Sequence, residues 1–253
     1  MPRASKNVLL LVMLAGNTRG EKPAPVPVLV ELFTSEGCSS CPLADVGLMR
    51  LAQQPVAGVE IVPLSLHVDY WNRLGWTDPF SSAAFSNRQG DYSRAWGVDR
   101  VYTPQMVIDG RSELAGSDET RAARRAIEEA SRRPKASVEL TRAAAGRGDV
   151  PLHIVVRGLS SVTPGDTAEV LLAVTEDRLA SDVPRGENAG RQLAHTAVVR
   201  ELTLVSTIQT NVPFQVDRAL RLKAEWKRDA LHAVAFVQEK KSRKVLGVAR
   251  IGL

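Results

Sequence analysis

The change of texture at Pro134 constrains the fold of this chain more than any other feature. From Lys135 onward seven alternating, β-branched runs follow one another: ASVELTR, VPLHIVVRG, AEVLLAVTE, HTAVVRELTLV, FQVDRALRLK, LHAVAFVQEK and KVLGVARIG. Gly, Pro, Asp and Asn turns separate them. So many short strands with no helical pattern between them predict an antiparallel β-sandwich.

Before Pro134 the pattern differs. After the proline-rich entry at Pro23, Pro25 and Pro27, VLVELF is a short apolar run suited to a buried strand. It breaks into the polar turn TSEGCSS. Pro42 then opens the amphipathic stretch LADVGLMRLAQQ, at the helical position where a missing N–H costs nothing. VEIVPLSLHV is a second apolar strand, so strand, helix and strand predict a right-handed βαβ unit with parallel strands. Residues 69–100 read as a loop and a helix-like segment rich in Trp and Tyr. QMVIDG and RSELAG predict a hairpin through Asp109-Gly110. Ser117 is placed to cap a helix that Pro134 ends.

The first 20 residues read as a signal peptide: a basic start at Arg3 and Lys6, an apolar run from Val8 to Ala15, then small and polar residues. That run is too short to span a bilayer as a helix, and no longer one follows, so the mature chain is expected to lack a membrane span. The implied location is the periplasm or the exterior. The formal net charge of +5 rests partly on Arg3, Lys6 and Arg19 in this leader, which carries no acid. In the remainder the densest basic tract, RAARRAIEEASRRPK, interleaves glutamates at helical spacing, the pattern of a solvated helix face. No basic stripe interleaved with aromatics is present, so nucleic acid is not an expected partner.

Cys38 and Cys41 are the only cysteines, and they sit where a strand ends and a helix begins. Unsatisfied N–H groups and the helix dipole stabilise a thiolate at such a place. Cys38, the outer residue, is expected to attack, and Cys41, one turn inside, to resolve a mixed disulfide. Two thiols at this spacing can instead grip a metal ion, or only staple the turn. Stapling is a weak motive, because closing so short a loop removes little unfolded-state entropy.

ELFTSEGCSSCPLAD, HVDYWNRLGWTDPFSS, VYTPQMVIDG and GENAGRQLAHTAVVR together resemble a family of exported, thioredoxin-like bacterial proteins of unknown function, over nearly the whole chain beyond the leader. The resemblance implies a signal peptide at 1–20, a thioredoxin-like domain at 26–134 and a β-sandwich domain at 135–253. It also implies that Thr103-Pro104 is a cis-proline dipeptide facing the CXXC. The chain departs from thioredoxin in the Ser39-Ser40 dipeptide, in lacking a Trp before Cys38, and in the enlarged aromatic segment.

Other candidates arise from that placement. Glu31 interrupts VLVELF near the position of the buried acid of thioredoxins; it can accept the proton of the resolving thiol, or else face solvent or pair with an arginine. His67 ends the second strand and with Cys38 and Cys41 can complete a copper or zinc set, Asp69 being a weaker fourth ligand; alternatively it is hydrogen-bonded in the sheet. Tyr70, Trp71, Trp76, Phe80, Phe85, Tyr92 and Trp96 form either core or a groove for an apolar polypeptide. His195, in a polar loop with Glu187, Asn188 and Arg191, can fold over the pair or merely connect strands. His153 and His232 read as structural.

The expected function is thiol–disulfide exchange with a protein thiol or disulfide partner through Cys38 and Cys41. Glu31, Thr103 and Pro104 support the site, and no cofactor is expected beyond the redox-active disulfide. Copper or zinc handling through Cys38, Cys41 and His67, and a non-catalytic thioredoxin-like binding module, stay open as alternatives.

Overall fold

The computed structural model describes residues 24–54, 56–116, 120–142, 149–160 and 162–253. The leader expected at 1–20 and the helix cap expected at Ser117 lie outside the described residues. Strand β1 (Val26–Thr34) and β2 (Val59–His67) pair in parallel, joined by helix α1 (Cys41–Gln53) with proline in its first turn. Helix α2 (Ala83–Ala95) comes next, its N-terminus capped by the Ser82 hydroxyl, which accepts from the Ala84 N–H. Strand β3 (Gln105–Ile108) runs antiparallel to β1, and β4 (Ser112–Ala115) returns beside it. Asp109 and Gly110 in that turn have positive φ, 50° and 63°, the left-handed backbone of tight hairpin connections. Helix α3 (Thr120–Ser131) completes this part.

The chain continues as β5 (Ser137–Arg142), β6 (Val150–Arg157), β7 (Ala168–Glu176), β8 (Leu179–Val183), β9 (Arg191–His195), β10 (Val198–Ile208), β11 (Phe214–Leu220), β12 (Leu231–Glu239) and β13 (Val245–Gly252). All seven runs read from the sequence are strands. The short pair β8 and β9 falls in and beside the segment read as a polar loop.

Their arrangement corrects the expectation of a thioredoxin-like α/β domain followed by an antiparallel β-sandwich. Strands from both sides of Pro134 form one mixed eight-stranded sheet, in the order β13-β12-β7-β10-β2-β1-β3-β4. The junction is a parallel contact between β10 and β2, Val198 opposite Ser65, with the Ser65 N–H donating to the Ala197 carbonyl at 2.8 Å. Only β11, β6 and β5 form a separate three-stranded sheet, and β8 pairs with β9 alone.

The physical reason lies in how the central strands are buried. Every residue of β7 is buried. Val170, Leu172 and Val174 join a core shared with β6, while Leu171 and Ala173 join a second core with Leu29, Phe33, Leu64 and Leu66 of β1 and β2. A strand apolar on both faces needs cover on both. The three-stranded sheet covers one face of β7, and α2 shares the core on the other, which runs on into β1 and β2.

Pleat alternation also sorts β1. Val28, Val30 and Leu32 pack toward α1 and α3, against Ala44, Leu48, Leu51 and Ile127. Leu29 and Phe33 point the other way, toward Phe85 and Tyr92 of α2. The two cysteines lie where β1 gives way to α1, close to the end of β2.

Candidate functional site

Cys38 and Cys41 are joined as a disulfide. The loop that carries them turns tightly, the Cys38 N–H donating to the Ser35 carbonyl and the Cys41 N–H to the Cys38 carbonyl, both at 3.2 Å. Gly37 is required there by close approach: a Cβ on it would lie 3.0 Å from Trp71 Cβ. Ser39 and Ser40 are exposed, but Cys38 is only 1% exposed and Cys41 is fully buried. The open outer thiol expected from the sequence is therefore covered.

The cover comes from the far half of the chain. Asn188, fully buried, donates from Nδ2 to the Glu36 carbonyl at 2.8 Å and to the Cys38 carbonyl at 2.9 Å. Arg191 donates to Asn188 Oδ1 at 2.9 Å, which orients the amide. Glu187 accepts from the Ser39 N–H at 2.9 Å, and hydrogen bonds from Ser39 hold its exposed carboxyl below its ordinary pKa. The loop between β8 and β9 thus clasps the cysteine loop by hydrogen bonds to its backbone.

A buried group of imidazoles and carboxylates is built onto the cysteine loop and the first turns of α1 through Glu36 and Asp45. His67, Asp78, Glu36, His195 and Asp45 are each 5% exposed or less. His67 Nδ1 donates to Asp78 Oδ2 at 2.7 Å. Asp78 also accepts from the N–H groups of Glu36 and Phe80, each at 2.9 Å. His195 Nε2 donates to Glu36 Oε1 at 3.1 Å, and Trp76 Nε1 donates to Glu36 Oε2 at 2.8 Å. The two imidazoles meet edge to face, centroids 4.8 Å apart, with the Phe80 ring against both. Asp45, one helical turn after Cys41, has Oδ2 3.8 Å from His195 Nδ1.

This geometry sets the electrostatics of the group. Burial pushes the Asp45 carboxyl up, with His195 and His67 acting against it. Burial alone would lower His67, but the charge and hydrogen bond of Asp78 reverse that and hold the imidazole above its ordinary value. Asp78 is held below its ordinary value: burial opposes this, and the His67 charge and hydrogen bond overcome it. Among the described residues Ser65 Oγ, His67 Nε2 and His195 Nδ1 have no hydrogen-bond partner, and the Thr34 hydroxyl lies beside the Asp45 carboxyl. Buried polar atoms are seldom left unpaired, so their concentration in this group calls for an explanation.

Of the candidates read from the sequence, His67 and His195 are drawn together under the pair. Glu31 is not joined to it: it lies on the α2 face of β1, opposite α1, where Arg88 Nε donates to it at 2.6 Å and the Tyr92 hydroxyl donates to its other oxygen. The arginine-paired alternative is the one observed. Thr103 accepts from Trp71 Nε1 at 2.8 Å, and the Thr103-Pro104 bond is cis. Pro104 lies in the packing next to α1, since a Cβ on Gly116 would meet both Pro104 and Ala44 within 3.2 Å. Among the described residues, no group of three His, Cys, Asp or Glu side chains is arranged to hold a metal ion. His153 pairs with Asp217, and His232 lies 3.4 Å from Asp177, both away from the pair.

Three members of the buried group were not singled out from the sequence: Glu36, Asp45 and Asp78. Asp45 had a readable signal, because Cys41, Ala44, Asp45 and Leu48 fall at the spacing of one buried helix stripe. Glu36 and Asp78 lie in loops, where no periodicity marks burial.

Two solved structures share this architecture. A crystal structure of a protein from Agrobacterium tumefaciens matches with a TM-score of 0.70 and 28% identity, covering 90% of this chain and 95% of that one. HBP35 of Porphyromonas gingivalis matches with a TM-score of 0.66 and 12% identity, covering 92% of this chain and 77% of that one, a likeness of fold alone. Comparison with curated proteins gives no match. Residues 29–238 match the family model described as protein of unknown function (DUF1223), and the chain belongs to that family.

Proposed function

We propose that this protein exchanges its Cys38–Cys41 disulfide with the thiols or disulfide of a protein partner, in the periplasm or outside the cell. The observation that carries the reading is a disulfide at the N-terminus of α1, with the buried, titratable Glu36 and Asp45 in the same loop and helix. Sulfur leaving groups depart faster when protonated or stabilised, and a helix start does the latter. Cys38, flanked by the exposed serines, is the sulfur a partner attacks; Cys41, on the buried stripe of α1, is the one released. The exchange reading also accords with the leader-like N-terminus, since disulfides persist in oxidising compartments. Among the described residues no helix is long and apolar enough to cross a membrane.

Burial of both sulfurs favours a competing reading, a permanently oxidised staple in a binding module. One experiment separates them. Folded protein is mixed with a reduced dithiol, and the Cys41→Ser variant with cell-envelope extract, each followed by alkylation. The exchange reading expects reduction without loss of fold, and mixed disulfides on the variant that disappear in Cys38→Ser/Cys41→Ser. A disulfide that opens only on unfolding supports the staple and removes the exchange reading.

A further inference from the structure

Two residues of the buried group, Asp45 and His195, come from distant parts of the chain and meet beside the start of α1. Asp45 is four residues after Cys41 on α1, so the two occupy one helix face, and the tilt of helical side chains toward the N-terminus leans the carboxyl back toward the Cys41 turn. The Thr34 hydroxyl lies beside its carboxyl, and its Oδ2 faces the unpaired Nδ1 of His195 at 3.8 Å. That gap is too long for a hydrogen bond and short enough for a small movement or one water to close. His195 is fixed from behind, its Nε2 spent on Glu36 Oε1. Nothing in the structural role of a sheet end requires a carboxylate and an imidazole to be buried facing each other just beyond hydrogen-bond distance.

We propose that Asp45 and His195 form a buried proton-holding pair for the disulfide, giving a proton to Cys41 when the bond opens and recovering it when the bond closes. The inference rests on the exchange reading above. The step balances with a partner dithiol. One partner thiolate attacks Cys38 Sγ, forming a new S–S bond; the Cys38–Cys41 bond breaks and its electron pair goes to Cys41 Sγ. That sulfur takes the proton of the pair. The second partner thiolate then attacks the first partner sulfur and releases Cys38, which is protonated from solvent, so the partner leaves oxidised to a disulfide and the protein gains two electrons and one proton, the proton on Cys41 having moved from the pair. Asp45, four residues after Cys41 on the same helix face, is the group placed to deliver it, and His195 is the positioning residue that shares its proton.

The groups that bear on the pair come from every neighbouring element. Glu36 lies in the cysteine loop, His67 ends β2, and Asp78 lies between β2 and α2. The Thr34 and Ser65 hydroxyls end or line β1 and β2, and Arg200 lies over the far ring face of Phe80 at 5.3 Å. Protons in so tight a group belong to the group and not to one side chain. Opening of the disulfide by a dithiol is therefore assisted while the pair is protonated and unassisted once it is not.

The test measures the rate of reduction of folded, oxidised protein by dithiothreitol from pH 5.5 to 9, for wild type, Asp45→Asn and His195→Gln. General acid catalysis by one group is worth roughly a hundredfold or more; the wild-type rate should exceed each variant's by at least about tenfold at pH 6, with the ratio falling toward one at pH 9. A ratio that does not change with pH reports a structural effect and overturns the proposal. Should either variant fail to fold, the wild type alone decides: its reduction rate per dithiothreitol thiolate should fall as pH rises from 5.5 to 9, and a constant value overturns the proposal. Wild-type protein that resists dithiothreitol while folded removes the exchange reading and this proposal together. Exchange with a pH-independent ratio removes this proposal only.

Discussion

Replacing Asp78 with alanine should unlatch the floor of the site. Its carboxylate accepts from His67 Nδ1 at 2.7 Å and from the Glu36 and Phe80 N–H groups at 2.9 Å, and the side chain is fully buried. Alanine leaves those buried donors without an acceptor, at about 1–3 kcal/mol each, and strands the His67 charge. Removing one partner of a buried pair costs about 3–5 kcal/mol in total, which for a chain of this size lowers Tm by roughly 6–20 °C. The pH dependence has a definite sign. Asp78 is held below its ordinary value of 3.8, so its contribution is present above that value and is lost as pH falls through the lower folded value. His67 is held above its ordinary value of 6.5, so its contribution is present below that value and is lost as pH rises through the higher folded one. The pair therefore stabilises most between about pH 4 and 6.5, and the gap between wild type and variant should narrow toward pH 9 without closing, because the two backbone donors remain. Thermal melts of oxidised protein followed by circular dichroism across pH 4–9 measure this directly. A variant melting within 2 °C of wild type at pH 5.5, or a gap of the same size at pH 5.5 and 9, would refute the reasoning.

Gly110→Ala should prevent folding or cost well over 3 kcal/mol, since the new Cβ would fall 1.8 Å from the Arg243 carbonyl at a φ of 63°. Gly190→Ala, with φ of 80° and open space around it, should cost only about 1–2 kcal/mol, and equal effects in thermal melts would contradict the close packing of the β3–β4 turn on the β12–β13 turn. Asn188→Ala should loosen the clasp over Cys38 and speed reduction by dithiothreitol several-fold at neutral pH, while lowering stability by about 1–3 kcal/mol. An unchanged reduction rate would mean that this loop does not guard the sulfur.

The strands were legible as β-branched, apolar runs set between turn residues, but their partners were not. Strand order depends on which edges meet, and nothing local to HTAVVRELTLV tells that its start lies beside Ser65 of β2. One signal did exist. AEVLLAVTE and LHAVAFVQEK are apolar at consecutive positions, whereas FQVDRAL alternates. Consecutive apolar residues mark a strand covered on both faces, as β7 and β12 are, and alternation marks one covered on a single face, as β11 is. Read that way, two of the seven runs ask for a central place in a layered sheet and not for one in a free-standing sandwich. Glu31 shows the same limit at the site. Its burial could be guessed from its apolar neighbours, but the face it takes depends on which side of β1 receives α1, and Arg88, which neutralises it, lies 57 positions along the chain.

The site and the sheet junction are one construction. Glu36 and Asp45 lie in or just after the cysteine loop, His67 and Asp78 belong to the end of β2 and the loop beyond it, and Asn188 and His195 come from the β8–β9 hairpin. Among the described residues that hairpin is bonded to no other strand. Its position is set by the residues immediately after β9: Ala197 accepts from Ser65, Val198 pairs with the same residue, and His195 is thereby held two residues away, beside His67 at the end of β2. Asp177 reinforces the corner by accepting from the Ala197 N–H at 2.7 Å and the Thr196 hydroxyl at 2.8 Å. Had the second half formed an independent sandwich on a linker, His195 would be carried by a mobile domain and could not be held within 3.1 Å of Glu36. Burying imidazoles and carboxylates is costly unless their partners are already in place, and the continuous sheet puts them in place before any ligand or partner arrives. The wrong expectation about the fold and the missed half of the site thus have one cause: both depend on the short parallel contact between β10 and β2, which no single stretch of the sequence announces.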